Sequence, residues 1–221
     1  MLNLRTHAAI ATLLFAGAAG AATSNGIANG GFETPAGSLP AGWLTAPTGN
    51  PAALANDAHT GSHSVLLTVP AGFGASTLFQ DSAGHGGLAP LGDANVGDTP
   101  MLSFWAKGDA STTGNATYAL RYLGASGILV NSGEQFFHSG LSTNAWTQFS
   151  FQGAAIPTGT TSVFIEINSA VGPLLDGRIN AVYIDDVQLT LTTAPVPEPE
   201  TYALLIAGLG VVGAMARRRR V

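Results

Sequence analysis

Met101-Leu102-Ser103-Phe104-Trp105-Ala106-Lys107 alternates in side-chain character with a period of two. Successive side chains of a strand point to opposite faces. Leu102, Phe104 and Ala106 therefore share one side, and Ser103, Trp105 and Lys107 the other. An alternation of this kind predicts a half-buried strand whose Leu102 face looks into a core.

Segments of the same character lie on both sides of it. Ser64–Val69, Thr117–Leu123, Ile128–Val130, Ala145–Phe151, Ser162–Asn168 and Val182–Leu191 are rich in β-branched and aromatic residues, and Gly, Pro, Asn and Asp separate them. Short strands with turn signals at intervals of roughly 8–12 residues predict an all-β sandwich. No helical period occurs outside the two termini, and no fixed repeat points to a propeller or solenoid. Phe149 and Phe151 share a face, as do Val163, Ile165 and Ile167. Strict alternation along the last strand puts Tyr183, Val187 and Leu189 together, with Asp185 among them. A carboxylate on an inward face needs a partner or a cation.

Composition supports this class. Of 221 residues, 46% are hydrophobic, only 10% are charged, and 29 are Gly. Helical bundles need charged outer faces, and disordered chains lack this apolar content. Cysteine is absent, which excludes disulfides, thiolate catalysis and Cys-rich zinc sites. Between the termini stand three basic residues (Lys107, Arg121 and Arg178) against eleven acids, a formal charge of −8. Such a body does not attract nucleic acid. Acids in loops suit calcium, or simply keep an exported protein soluble.

Both ends are address labels. Residues 1–22 carry Arg5 and His7, a short apolar run and Ala19-Gly20-Ala21, the pattern of a secretory signal peptide. Residues 23–193 form the expected β-sandwich domain, and residues 194–221 a distinct tail. In the tail, Val196-Pro197-Glu198-Pro199 precedes the uncharged run Tyr202–Ala216, and Arg217, Arg218, Arg219 and Arg220 follow. As a helix, the uncharged run would rise about 22 Å, short of a ~30 Å hydrocarbon core unless the arginines snorkel. It is expected to be a single transmembrane helix with the arginines on the cytoplasmic side.

These three elements in this order resemble the PEP-CTERM sorting signal of Gram-negative bacteria. The resemblance implies Sec export, processing by an exosortase (a membrane protease), and a destination in the cell envelope, at the surface or outside the cell. It also implies an association with exopolysaccharide. A plain tail anchor is the alternative reading of the same residues.

A second resemblance covers most of the body. Asn29-Gly30-Gly31-Phe32-Glu33, Gly42-Trp43, His59-Thr60-Gly61-Ser62-His63-Ser64, the Met101–Lys107 strand, Trp146 and Tyr183-Ile184-Asp185-Asp186-Val187 follow one another. This succession resembles jelly-roll carbohydrate-binding modules of families 4, 9 and 22 and galactose-binding-like domains. The resemblance implies a structural calcium tying the first strand to the last. Its ligands here would be Glu33, Asp185 with Asp186 beside it, and main-chain carbonyls of the His59–Ser64 turn. In the alternative, Glu33 and Asp185 hydrogen-bond loop amides or Arg178.

Sugar binding needs flat apolar faces and a few convergent polar groups. Trp105, Tyr118, Tyr122, Phe136 and Phe137 are available for stacking, and Trp105, Lys107, Arg121 and Tyr122 are the expected contacts if their strands are neighbours; in the alternative, Trp105 packs under a loop or against the sheet edge. No catalytic set emerges. Gly-x-Ser-x-Gly and His-Glu-x-x-His are absent, and Gly84-His85-Gly86-Gly87 reads as a Gly-rich loop. Asp185 and Asp186, adjacent in one strand, point apart and do not flank one bond. The expectation is a non-catalytic surface or matrix protein, with a purely structural or adhesive component as alternative and a hydrolase behind both.

Overall fold

The computed structural model describes residues 23–46, 49–70, 74–81, 95–109, 114–171 and 180–192, plus positions of a C-terminal helix between 203 and 217. Residues Ala22–Ala194 form one compact unit. Among the described residues thirteen strands run in chain order: β1 (Thr23–Asn25), β2 (Pro35–Ala36), β3 (Leu39–Pro40), β4 (Leu44–Thr45), β5 (Ala53–Ala55), β6 (Ser64–Val69), β7 (Gly74–Asp81), β8 (Thr99–Asp109), β9 (Gly114–Gly124), β10 (Gly127–Phe136), β11 (Thr147–Gln152), β12 (Ser162–Val171) and β13 (Asn180–Thr192).

β2 and β3 pair with each other, and the other eleven build two larger sheets. One has the order β11-β8-β13-β6-β5, with β1 also pairing with β13; the other runs β10-β9-β12-β7-β4. Every pairing between β6 and β13 in sequence is antiparallel. The core lies between the sheets. Leu102, Phe104, Ala106, Val182, Ile184, Val187 and Leu189 of the first sheet are buried against Tyr118, Leu120, Tyr122, Val163, Ile165 and Ile167 of the second. Phe104 anchors an aromatic cluster, with ring centroids 5.3 Å from Tyr118 and 5.1 Å from Phe137. Full burial of each such side chain contributes about 1.5–3 kcal/mol.

The sequence reading missed β7 and the short strands β1 to β5. β7, with sequence GASTLFQD, opens on small residues and carries Ser76 and Gln80 on its buried side. Polar residues at inward positions hide the alternation that identifies a strand.

A bulge corrects the face assignment in β13. Asp185 stands opposite Trp105 and Gln188 opposite Ser103, so Asp186 and Val187 together face only Phe104. Asp186 sits at φ 48°, in the left-handed region that Asp tolerates. The extra residue reverses the phase of alternation. Val182, Ile184, Val187, Leu189 and Leu191 point inward, while Tyr183 and Asp185 share the outer side with Trp105 and Lys107. Asp185 is therefore buried on the outside of its sheet, not in the inter-sheet core as strict alternation predicts.

The bulge also seats the first segment. The Val187 amide donates to the Gly30 carbonyl at 2.9 Å, and a Cβ on Gly30 would come 2.0 Å from the Val187 carbonyl oxygen. Only glycine fits that crossing.

In the tail, Ala203, Leu205–Gly210, Val212 and Arg217 are helical positions. Among the described residues no helix is long and apolar enough to cross a membrane. The signal peptide, Val196 to Pro199, Arg218 to Arg220 and much of the expected membrane run lie outside the described residues.

Candidate functional site

Three features gather the chemically able residues. The first is the turn from Asp57 to Ser64, which carboxylates hold from two sides. Asp185 Oδ2 accepts the amides of His59 at 2.7 Å and Thr60 at 3.2 Å, and its Oδ1 accepts the Asp186 amide at 2.7 Å. Asp186 bonds His59 Nδ1 at 2.7 Å and accepts from the Thr60 hydroxyl at 2.8 Å. Glu33 Oε1 accepts the amides of Ser62 and His63, each at 2.8 Å. The Ser64 hydroxyl donates to the Asp57 carbonyl at 2.6 Å. Gly61, at φ 66°, lies against Glu33, whose Oε1 a Cβ would approach to 2.4 Å.

The two anchoring carboxylates are displaced in opposite directions. The Ser62 and His63 amides hold Glu33 below the usual carboxylate range. Burial pushes Asp185 up, the amides of Asp186, His59 and Thr60 counter this in part, and the charge of Asp186 adds to the rise. Asp185 is thus a fully buried acid followed directly by a second acid, Asp186. Both Glu33 and Asp185 accept loop amides, the alternative expected for them.

The donor chemistry suits calcium in kind. Glu33 Oε2 lies 3.5 Å from His63 Nδ1, and Asp185 Oδ1 accepts the Asp186 amide. Among the described residues no three His, Asp or Glu side chains converge as a metal-binding group, so main-chain carbonyls of the turn would have to complete six to eight oxygens. The bound ion would supply positive charge beside Asp185 and cross-link the first segment, the turn and the last strand.

The second feature is the outer side of β8 and β13. Trp105 stacks on His59 with centroids 3.9 Å apart, and Trp146 meets His59 edge-on at 5.9 Å. Lys107 Nζ lies 5.2 Å from the Trp146 ring centre and 5.6 Å from that of Tyr183, and it pairs with Asp57 at 2.5 Å. This patch pins the turn onto the sheet, and it occupies one face of Trp105.

The third feature is the outer face of the five-stranded sheet. Register sets its residues in rows across the strands. Asn131, Arg121, Phe164 and Asp81 form one; Glu134, Ala119, Glu166, Phe79 and Leu44 the next; Phe136, Thr117, Asn168 and Thr77 a third. Ala119 and Thr117 are short and buried between taller neighbours. Arg121 pairs with Glu166 at 2.5 Å and lies 5.6 Å over Phe164; Asn168 donates to the other Glu166 oxygen. Phe79 and Phe164 pack at 5.3 Å, and Phe136 is 60% exposed at the strand end. Aromatic rings, hydroxyls, amides and a charge-assisted ion pair lie together on that face.

Two expectations need correction. Trp105 and Lys107 lie on one sheet and Arg121 on the other, so the four residues expected to line one surface do not converge. Tyr122 is fully buried between the sheets, and its hydroxyl donates to the Ala154 carbonyl. Burial raises the pKa of Tyr122, and that of its inward neighbour Tyr118 as well. The face of Arg121 carries Glu166, Asn168, Phe79 and Phe164 instead. Their signal, outward positions beside the predicted Val163-Ile165-Ile167 stripe, was present in the sequence for all but Phe79. The strand order that groups them was not.

The PEP-CTERM protein-sorting motif matches residues 195–220. Comparison with curated protein sequences found no match. Among solved structures, the CBM22-1 xylan-binding domain of Paenibacillus barcinonensis Xyn10C aligns with TM-score 0.50 at 12% identity, covering 74% of this chain and 92% of that one. TmCBM61, solved in complex with β-1,4-galactotriose, aligns with TM-score 0.50 at 17% identity, covering 75% and 97%. The enzymatically active domain of tailspike protein 4 from bacteriophage CBA120 aligns with TM-score 0.55 at 20% identity over 76% of this chain, which spans about a fifth (21%) of the tailspike chain. A cyclase from Fischerella sp. TAU aligns with TM-score 0.55 at 16% identity, covering 79% and 99%. The body is a β-sandwich of the jelly-roll kind found in carbohydrate-binding modules, and the chain ends in a PEP-CTERM sorting motif. The cyclase and tailspike likenesses place enzymes on the same architecture, and fold alone does not assign activity.

Proposed function

We propose that this chain is an exported, non-catalytic glycan-binding module that an exosortase sorts to the cell envelope or surface, where it works with exopolysaccharide. The supporting observation is the outer face of the five-stranded sheet, where Arg121, Glu166 and Asn168 form one hydrogen-bonded chain beside Phe79, Phe164 and exposed Phe136. Stacking with a few fixed polar groups is the chemistry of sugar recognition. Affinities of micromolar to millimolar, about −4 to −8 kcal/mol, are expected. Phe136→Ala and Arg121→Ala should each reduce retention of the full-length protein on its producer's matrix polysaccharide roughly fivefold, about 1 kcal/mol. Unchanged retention in both variants counts against this face.

A second reading keeps Trp105 and Lys107 as contacts, because Trp105, Trp146 and Tyr183 are only half-buried. Lost retention in Trp105→Ala alone would favour it. If no variant and no polysaccharide shows retention, the structural-component reading takes over. Calcium belongs to the same proposal: bound at Glu33, Asp185 and turn carbonyls, it would raise the melting temperature by mass action, about 2.7 kcal/mol at one hundred times its Kd. Processing is tested by the intact mass of protein from the native envelope, which should lack Arg217 to Arg220.

A further inference from the structure

The same face that supports glycan binding carries more negative than positive charge. Its rows hold one cation, Arg121, against Glu166 and the exposed Glu134; Asp81, in the first row, is buried and already has a partner. That cation is neutralised in place: Arg121 and Glu166, each 17% exposed, stand 2.5 Å apart. Among the described residues the sandwich offers no replacement. Lys107 is engaged by Asp57 at 2.5 Å on the other sheet, and Arg178 lies outside the described residues. A polyanion laid on the face would desolvate its own charges against Glu134 and Glu166 with no free cation among the described residues to receive them. A hydroxyl-rich chain meets suitable partners instead. The Glu166 carboxylate, the remaining Arg121 N–H groups, the Thr77 hydroxyl and the exposed Asn131 amide are groups that exchange hydrogen bonds with hydroxyls.

We infer that the glycan recognised is uncharged, and that the acidic rows exclude polysaccharides bearing uronate, sulfate or other anionic groups. This inference rests on the glycan-binding reading. It gives the domain a selective role beside an anionic matrix: the body's charge of −8 repels acidic polymer, while the face takes neutral segments.

The test uses one polymer in three charge states, so that backbone and linkage stay fixed. Matrix polysaccharide from the producing cells is compared as isolated, after carboxyl reduction to neutral sugars, and after oxidation of primary hydroxyls to carboxylates. Full-length protein in a polyoxyethylene detergent is assayed for retention. The carboxyl-reduced form should be retained at least tenfold better than the oxidised form. That gap should shrink as salt rises from about 20 mM to about 0.5 M, because screening weakens repulsion between exposed charges. Glu134→Gln, an exposed change, should narrow the gap at low salt. Equal or stronger retention on the oxidised form overturns the inference and leaves glycan binding standing, as does a gap indifferent to both salt and Glu134→Gln. No retention on any of the three forms overturns the binding reading and the inference with it.

Discussion

Replacing Asp185 with Ala tests how the domain is closed at its outer turn. Three amides (His59, Thr60 and Asp186) donate to this one buried carboxylate, at 2.7 to 3.2 Å. A buried donor left without an acceptor costs about 1–3 kcal/mol, so three give a gross loss of about 3–9 kcal/mol. Against this, the native protein keeps a carboxylate out of water at a cost of several kcal/mol, which the substitution removes. The balance is a loss of about 2–4 kcal/mol. For a domain of this size, 1 kcal/mol moves the melting temperature by about 2–4 °C, so a drop of roughly 5–15 °C is expected. Asp185→Asn, which keeps one acceptor oxygen, should fall between. Thermal unfolding followed by near-ultraviolet circular dichroism, with chelator and with calcium, reads both effects. The wild type should gain stability from calcium, and Asp185→Ala should not. A variant that melts with the wild type in chelator would refute the amide clamp. One that keeps the full calcium increment would refute Asp185 as a ligand.

Further outcomes follow from other contacts. Gly30→Ala should lower the urea midpoint by the equivalent of about 2–3 kcal/mol, since its Cβ would stand 2.0 Å from the Val187 carbonyl oxygen; an unchanged midpoint would show that the crossing relaxes freely. Phe104→Ala should cost about 3–5 kcal/mol by the same assay, because the ring is fully buried amid Tyr118, Phe137 and Phe149. Glu33 has its pKa depressed by folding, so its contribution is present above the ordinary value of 4.5 and is lost as pH falls through the lower folded value. Urea midpoints measured from about pH 6 to about pH 3 should therefore fall less steeply in Glu33→Gln than in the wild type; parallel curves would remove Glu33 from the account. Asp185, with its pKa raised, acts in the opposite sense: its contribution is present below the ordinary value of 3.8 and lost as pH rises through the higher folded value. The Asp185→Ala background should therefore steepen the acid fall.

The sequence by itself determined the class of fold and revealed the C-terminal sorting motif. Leu102, Phe104 and Ala106 alternate with Trp105 and Lys107 because a pleated strand half-buries every second residue, and that constraint is local enough to see in seven letters. The sorting motif at 195–220 is likewise a linear signal, made to be recognised before or apart from any folded surface. Tertiary structure decided the rest. A single extra residue at the Asp186–Val187 bulge moved Asp185 to the outside of its sheet, and a register slip of that kind leaves no mark in residue type. Which strand lies beside which was equally hidden. Arg121 meets Glu166 and Phe164 because β9 pairs with β12, and it stays apart from Trp105 because β8 belongs to the other sheet. Pairing between strands distant in sequence depends on how the whole chain buries its apolar faces, so the residues of a surface assembled from four strands come together only in the folded domain.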